Sequence, residues 1–91
     1  MAIPHLDPDT VSDRESFINF VQALVDDRKQ AETLERDQPE SYRWDGANGW
    51  QNSTISTFLE GALSGSDARK VAAEPSWRDF ALFLFLGKIY E

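Results

Sequence analysis

The chain has no cysteine and only one histidine among its 91 residues. Without cysteine there is no disulfide framework, no thiolate nucleophile and no zinc–thiolate site. The absence also suits a reducing cytoplasm. His5 is the only conventional general base near neutral pH. It lies between Pro4 and Pro8, with no serine or cysteine in a triad-like relation to it. Basic side chains are scarce as well, nine against 16 acidic ones, for a formal charge of −7. Nucleic acids and anionic membranes both require a basic face, so neither is an expected partner. The longest apolar run, Phe80 to Leu86, falls far short of the ~20 residues that span a bilayer. Residues 1–8 contain neither a basic n-region nor an apolar h-region, so no signal peptide is visible. There is no internal repeat and no glycine-rich phosphate loop. Gly46 and Gly49 follow no strand and lead to no Lys-Ser/Thr. An acidic, soluble, cytoplasmic protein is the expectation.

What remains is enough for one domain. Hydrophobic residues make up 41% of the chain and aromatic residues 12%. A fold of this size buries only about 60–65% of its unfolded surface, so nearly every large apolar side chain must join one core. The charge is uneven. Residues 1–40 hold ten acids and four bases, a net of −6, whereas 41–91 hold six and five, a net of −1.

Residues 1–11, interrupted by Pro4 and Pro8, read as a flexible tail ahead of a domain over 12–91. Ser12 and Glu15 have the spacing of a capping box. Beyond them Phe17, Phe20, Val21, Leu24, Ala31 and Leu34 fall near helical spacing, interrupted by Asp26, Asp27, Arg28 and Lys29. A helix over about 13–36 follows, stopped by Pro39. Asp45-Gly46 and Asn48-Gly49 are turn dipeptides, so 39–50 reads as a loop pinned by aromatics. Asn52 or Ser53 caps a second helix whose Ile55, Phe58, Leu59, Ala62 and Leu63 form an apolar stripe. Ser64-Gly65 ends it, and 66–73 allows a short further helix. Ser76 caps the last helix, which is apolar nearly all round from Trp77 to Tyr90, as in a helix that others wrap. The expected fold is all-α, a small bundle of three long helices with room for one short one, built around the C-terminal helix. Trp50 and Trp77 are expected in its core, and Tyr90 is expected to tie down the chain end.

Two segments also carry a resemblance. Residues 50–60 have the form W-x-N-x-T-[IL]-x-x-[FY]-L-E. Residues 75–91 have the form P-S-W-x-x-F-A-x-x-L-x-x-x-K-I-Y-E. Together with Arg14-Glu15-Ser16-Phe17 they resemble a family of small bacterial proteins of unknown function, over about residues 12–91, with 36–49 matching poorly. The resemblance implies a bacterial origin and a small, mostly helical domain. It supplies no catalytic residue. In the family the second helix and the loop after it are usually longer and richer in tyrosine, whereas here Gly61 and Ser64-Gly65 cut that region short.

Other motifs give way to simpler readings. Asp7, Asp9 and Asp13 imitate the start of a calcium loop, but Ser12 and Ile18 stand where glycine and glutamate are required. Asn52-Ser53-Thr54 fits a glycosylation sequon yet lies where a helix cap belongs. No cofactor or metal is expected, and catalysis is not. Carboxylates at Asp26, Asp27, Glu32, Glu35, Asp37 and Glu40 read either as a solvated face or as a negative patch for a basic protein. Tyr42 and Trp44, beside Arg43, are the residue types enriched at interface hot spots. The candidate partner-binding residues are therefore Tyr42, Trp44, Asp26, Asp27, Glu35 and Asp37. The expected function is that of a non-catalytic protein-binding module, in its concrete form an immunity- or antitoxin-type inhibitor of a basic partner. The alternative is a structural subunit or homo-oligomer paired through the last helix.

Overall fold

The computed structural model describes residues 6–69 and 76–90. His5 and residues 70–73 of the expected short helix lie outside the described residues. Within them the chain is all-helical, with three α-helices and no strand. Helix α1 spans Arg14–Asp37, α2 spans Ile55–Arg69 and α3 spans Trp77–Ile89.

Two helix starts differ from the sequence expectation. Helix α1 begins one residue later than the Ser12–Glu15 pairing requires. Asp13 is the cap, accepting from the Ser16 backbone N–H at 2.8 Å, while Ser16 Oγ accepts from the backbone N–H of Asp13. Glu15 is left in the first turn, where its charge favours the helix dipole. The Ser16 hydroxyl and then its backbone N–H hold the Asp13 carboxyl below the ordinary aspartate value. A lowered folded pKa stabilises the native state above the unfolded value and loses that contribution as pH falls through the folded one. Below about pH 4, Asp13→Asn is therefore expected to lose less stability on acidification than wild type. Urea unfolding at pH 6 and near pH 2 tests this, and parallel losses would contradict it.

At α2, Thr54 and Thr57 exchange bonds, each hydroxyl accepting the other's backbone N–H at 3.2 Å. Neither Asn52 nor Ser53 is the cap. The helix also does not stop at Ser64-Gly65 but continues to Arg69. Gly65 packs against α3, where a Cβ would come within 3.0 Å of Leu86 Cβ. Its lack of a side chain thus serves close packing rather than termination. Ser76 caps α3 as expected, accepting from Asp79 N–H at 3.1 Å.

Helix α3 is the central element. Phe17 meets Trp77 and Phe80 at the N-terminal ends of α1 and α3, and Asp27, midway along α1, meets Lys88 near the C-terminal end of α3. The two helices therefore run in the same direction. Gly61 lies at Tyr90 and Gly65 at Leu86, so α2 runs back antiparallel. Residues 6–11 are not a free tail. Pro8–Thr10 forms a 3-10 turn capped by Asp7, and Val11 is buried with Phe20 and Ala81. Leu6 packs there too. Trp50 is core, with Leu24, Ala31 and Ala47. Trp77 and Phe80 remain partly exposed, so α3 is not wrapped on every side.

Candidate functional site

Helices α1 and α2 both rest on α3, but among the described residues they make almost no close backbone approach to each other. Between them lies an open groove of about 330 Å³, lined by Leu24, Val25, Arg28 and Glu32 from α1 and by Ile55, Phe58 and Leu59 from α2. Trp50 and residues 52–54 complete it. The cause is the way α2 packs. It approaches α3 through Gly61, Ala62 and Gly65, so the next strip round the helix has nothing to cover it. Ile55 is 82% exposed, Leu59 48% and Leu63 64%. Three large aliphatic residues at i, i+4 and i+8 thus form one exposed row. The expected apolar stripe of α2 exists, but only Phe58 and Ala62 of its five members turn toward the core.

The opposite wall is also apolar. Ile18 and Val25, seven residues apart on one face of α1, are both exposed. Leu63 prolongs the α2 wall by one turn beyond Leu59, and Ile18 prolongs the α1 wall by two turns beyond Val25. Because the helices are antiparallel, these extensions lead toward the same end.

A buried polar centre lies behind the groove. Asp27 is 4% exposed, and its carboxylate accepts from Lys88 Nζ at 2.7 Å, Trp50 Nε1 at 2.9 Å and Asn48 Nδ2 at 3.1 Å. Lys88 and Arg28 both lie over the Trp50 ring, at 5.4 and 5.2 Å from its centre. Asn48 reaches this carboxylate from a left-handed backbone conformation (φ 57°), one that asparagine tolerates better than most residues. Asn52 donates to the carbonyls of Gly87 and Tyr90, at 2.9 and 2.7 Å, and so satisfies acceptors that a helix end leaves open. Gln51 N–H donates to the Lys88 carbonyl. Both motif segments that carry the resemblance therefore meet here: Gln51 and Asn52 bond to the end of α3, and Trp50 and Lys88 converge on Asp27 of α1.

The six candidate binding residues are not brought together as one surface. Asp27 is a buried ion-pair partner, not part of a solvated acidic face. Glu35 is half-buried, taking two bonds from the Arg28 guanidinium and one from Ala47 N–H. Tyr42 packs against the cluster around Trp50. These three hold the 38–54 loop to α1. Asp26 accepts from Gln22, and Asp37 is an exposed neighbour of Arg36. Trp44 is 88% exposed, with Arg43 over its ring. No hydrogen bond or ion pair joins Asp26, Asp37 and Trp44 among the described residues. The groove itself went unread in the sequence, because an apolar helical stripe reads equally well as core.

Among the described residues, no three His, Asp or Glu side chains are grouped as a metal site, and no helix is long and apolar enough to cross a membrane. No family model, curated protein or solved structure matches the chain.

Proposed function

We propose that this chain is a non-catalytic protein-binding module of the bacterial cytoplasm, and that its partner docks in the groove between α1 and α2. The exposed row Ile55, Leu59 and Leu63, whose first two members line the groove with Val25, carries this reading. Monomeric proteins rarely leave contiguous apolar patches larger than a few hundred Å² open to water, and those that do use them for contact. A groove between two helices is also the usual seat for the apolar face of a third helix. The biological role fitting a small acidic protein of this kind is that of an immunity- or antitoxin-type inhibitor.

A second docking surface has one observation in its favour, the nearly complete exposure of Trp44 beside Arg43. In that reading a basic partner meets Trp44 and the carboxylates of Asp37 and Glu40. Affinity capture from the native host separates the two. Leu59→Asp/Leu63→Asp changes exposed positions and is expected to stay folded by circular dichroism while losing the captured partner. Tyr42→Ala/Trp44→Ala is expected to keep it. The reverse pattern would move the site to the loop. Light scattering that showed a wild-type dimer, made monomeric by Leu59→Asp/Leu63→Asp, would replace the partner with a second copy.

A further inference from the structure

The turn dipeptide Asn48-Gly49 lies at the surface, with both residues exposed and both in left-handed backbone conformations (φ 57° and 80°). Nothing lies within 4 Å of where a Cβ on Gly49 would stand, and glycine has no side chain to shield its own amide nitrogen. An asparagine followed by such a glycine can cyclise. The Gly49 nitrogen attacks the side-chain carbonyl carbon of Asn48, ammonia leaves, and water opens the resulting succinimide to aspartate or isoaspartate. What opposes the reaction here is the seat of the amide. Asn48 Nδ2 donates to Gln30 Oε1 at 3.0 Å, to Asp27 Oδ1 at 3.1 Å and to the Asp27 carbonyl at 3.4 Å.

All three partners accept, so the seat suits an amide nitrogen and not an oxygen. Gln30 can turn its own amide to donate to a carboxylate, but neither Asp27 oxygen can. A carboxylate at position 48 would stand against Asp27 Oδ1, while Lys88 and Trp50 bind the other oxygen of that group. Two carboxylates in contact repel unless one takes up a proton.

We propose that Asn48 is a deamidation site, and that its conversion unseats the 38–54 loop from α1. The bonds of the native turn slow the reaction and its product removes them, so the change runs one way. Trp50 and residues 52–54 follow the turn directly and line the groove. Loosening the turn therefore loosens one edge of the groove, whatever occupies it.

Incubation of the intact protein at mildly alkaline pH, followed by peptide mapping that resolves aspartate from isoaspartate, tests the modification. Conversion is expected at Asn48 and not at the buried Asn52. It should run about tenfold more slowly than in a synthetic peptide of residues 44–54, because roughly one net hydrogen bond must open first. The mass change of deamidation separates it from isomerisation at Asp45, which leaves the mass unaltered. Thermal unfolding tests the unseating. Asn48→Asp is expected to lower Tm by about 4–8 °C, although aspartate matches asparagine in size and tolerates the same backbone region. Asn48→Gly deletes the amide without adding charge and should lower Tm by less than about 4 °C. An Asn48 left intact well beyond the tenfold delay would overturn the modification site. Equal losses for Asn48→Asp and Asn48→Gly would overturn the unseating, since no repulsion at Asp27 would then be felt.

Discussion

Asp27→Ala is expected to lower the unfolding free energy by about 3–5 kcal/mol, a large share of the ~5–10 kcal/mol available to a domain of this size. The loss has two sources. The Lys88 ammonium is left buried with no counter-charge, and Trp50 Nε1 loses its acceptor, while Asn48 loses one bond but keeps that to Gln30. A surface aspartate on the same helix, Asp37, should cost within about 0.5 kcal/mol when replaced by alanine. Removing both charges together gives a different result. Asp27→Leu/Lys88→Met replaces the pair with apolar side chains of similar bulk, and such exchanges are often neutral or stabilising. The remaining cost comes from Trp50 Nε1, at about 1–3 kcal/mol for one buried unpaired donor. Urea unfolding of the single and double variants measures this. A single-variant loss below about 1 kcal/mol would mean that Lys88 reaches water, which a side chain only 10% exposed does not allow.

Gly61→Ala is expected to destabilise by about 2–3 kcal/mol, a sign opposite to the usual one. In an open helix interior the same change stabilises by about 1 kcal/mol. Here the new Cβ would run into the Tyr90 carbonyl and the Asn52 amide. The carbonyl is backbone and cannot swing aside as a side-chain end can. Displacing Asn52 also releases its bonds to Gly87 and Tyr90, so the C-terminus of α3 loosens from the loop. Gly87 on the facing helix obeys the same logic, since a Cβ there would lie 2.8 Å from the Phe58 ring. Ser64→Ala, at an exposed position of α2, is the control and should change stability by less than about 0.5 kcal/mol. A stabilised Gly61→Ala would contradict the close approach of α2 and α3.

Much of the fold was legible because its local signals agree with its packing. The Ser76 cap, the stop at Pro39 and the apolar character of 77–90 all lead to the observed α3-centred arrangement. The Asp27–Lys88 pair is legible in principle, although Asp27 reads from sequence as one of an acidic face. Phe20, Leu24, Asp27 and Ala31 share one helical stripe, and Lys88 follows the fully buried Ala81 by seven residues. A lone charge in each of two apolar stripes is the signature of a buried pair, yet nothing in either stripe says which helices meet. Asn52 was legible only as a polar residue near a helix start, because its actual acceptors lie some 35 residues away in sequence. The exposed side of α2 could not be read from composition. Ile55, Leu59 and Leu63 have the pattern of a core stripe, and only the glycine-led approach of Gly61 and Gly65 rotates them outward.

The same geometry divides the chain's conspicuous residues into two groups. Trp50, Asp27, Glu35 and Tyr42 fix the loop and its seat on α1, whereas the open apolar surface lies between α1 and α2. Photo-crosslinking in host cells tests that division most directly, with a photoreactive phenylalanine analogue placed at Leu63 in one variant and at Trp44 in another. Both positions are exposed, so both variants should fold. The groove account predicts a discrete protein adduct from position 63 that disappears when Leu59→Asp is added, and none from position 44. An adduct from position 44 alone would contradict it and place the contact on the loop.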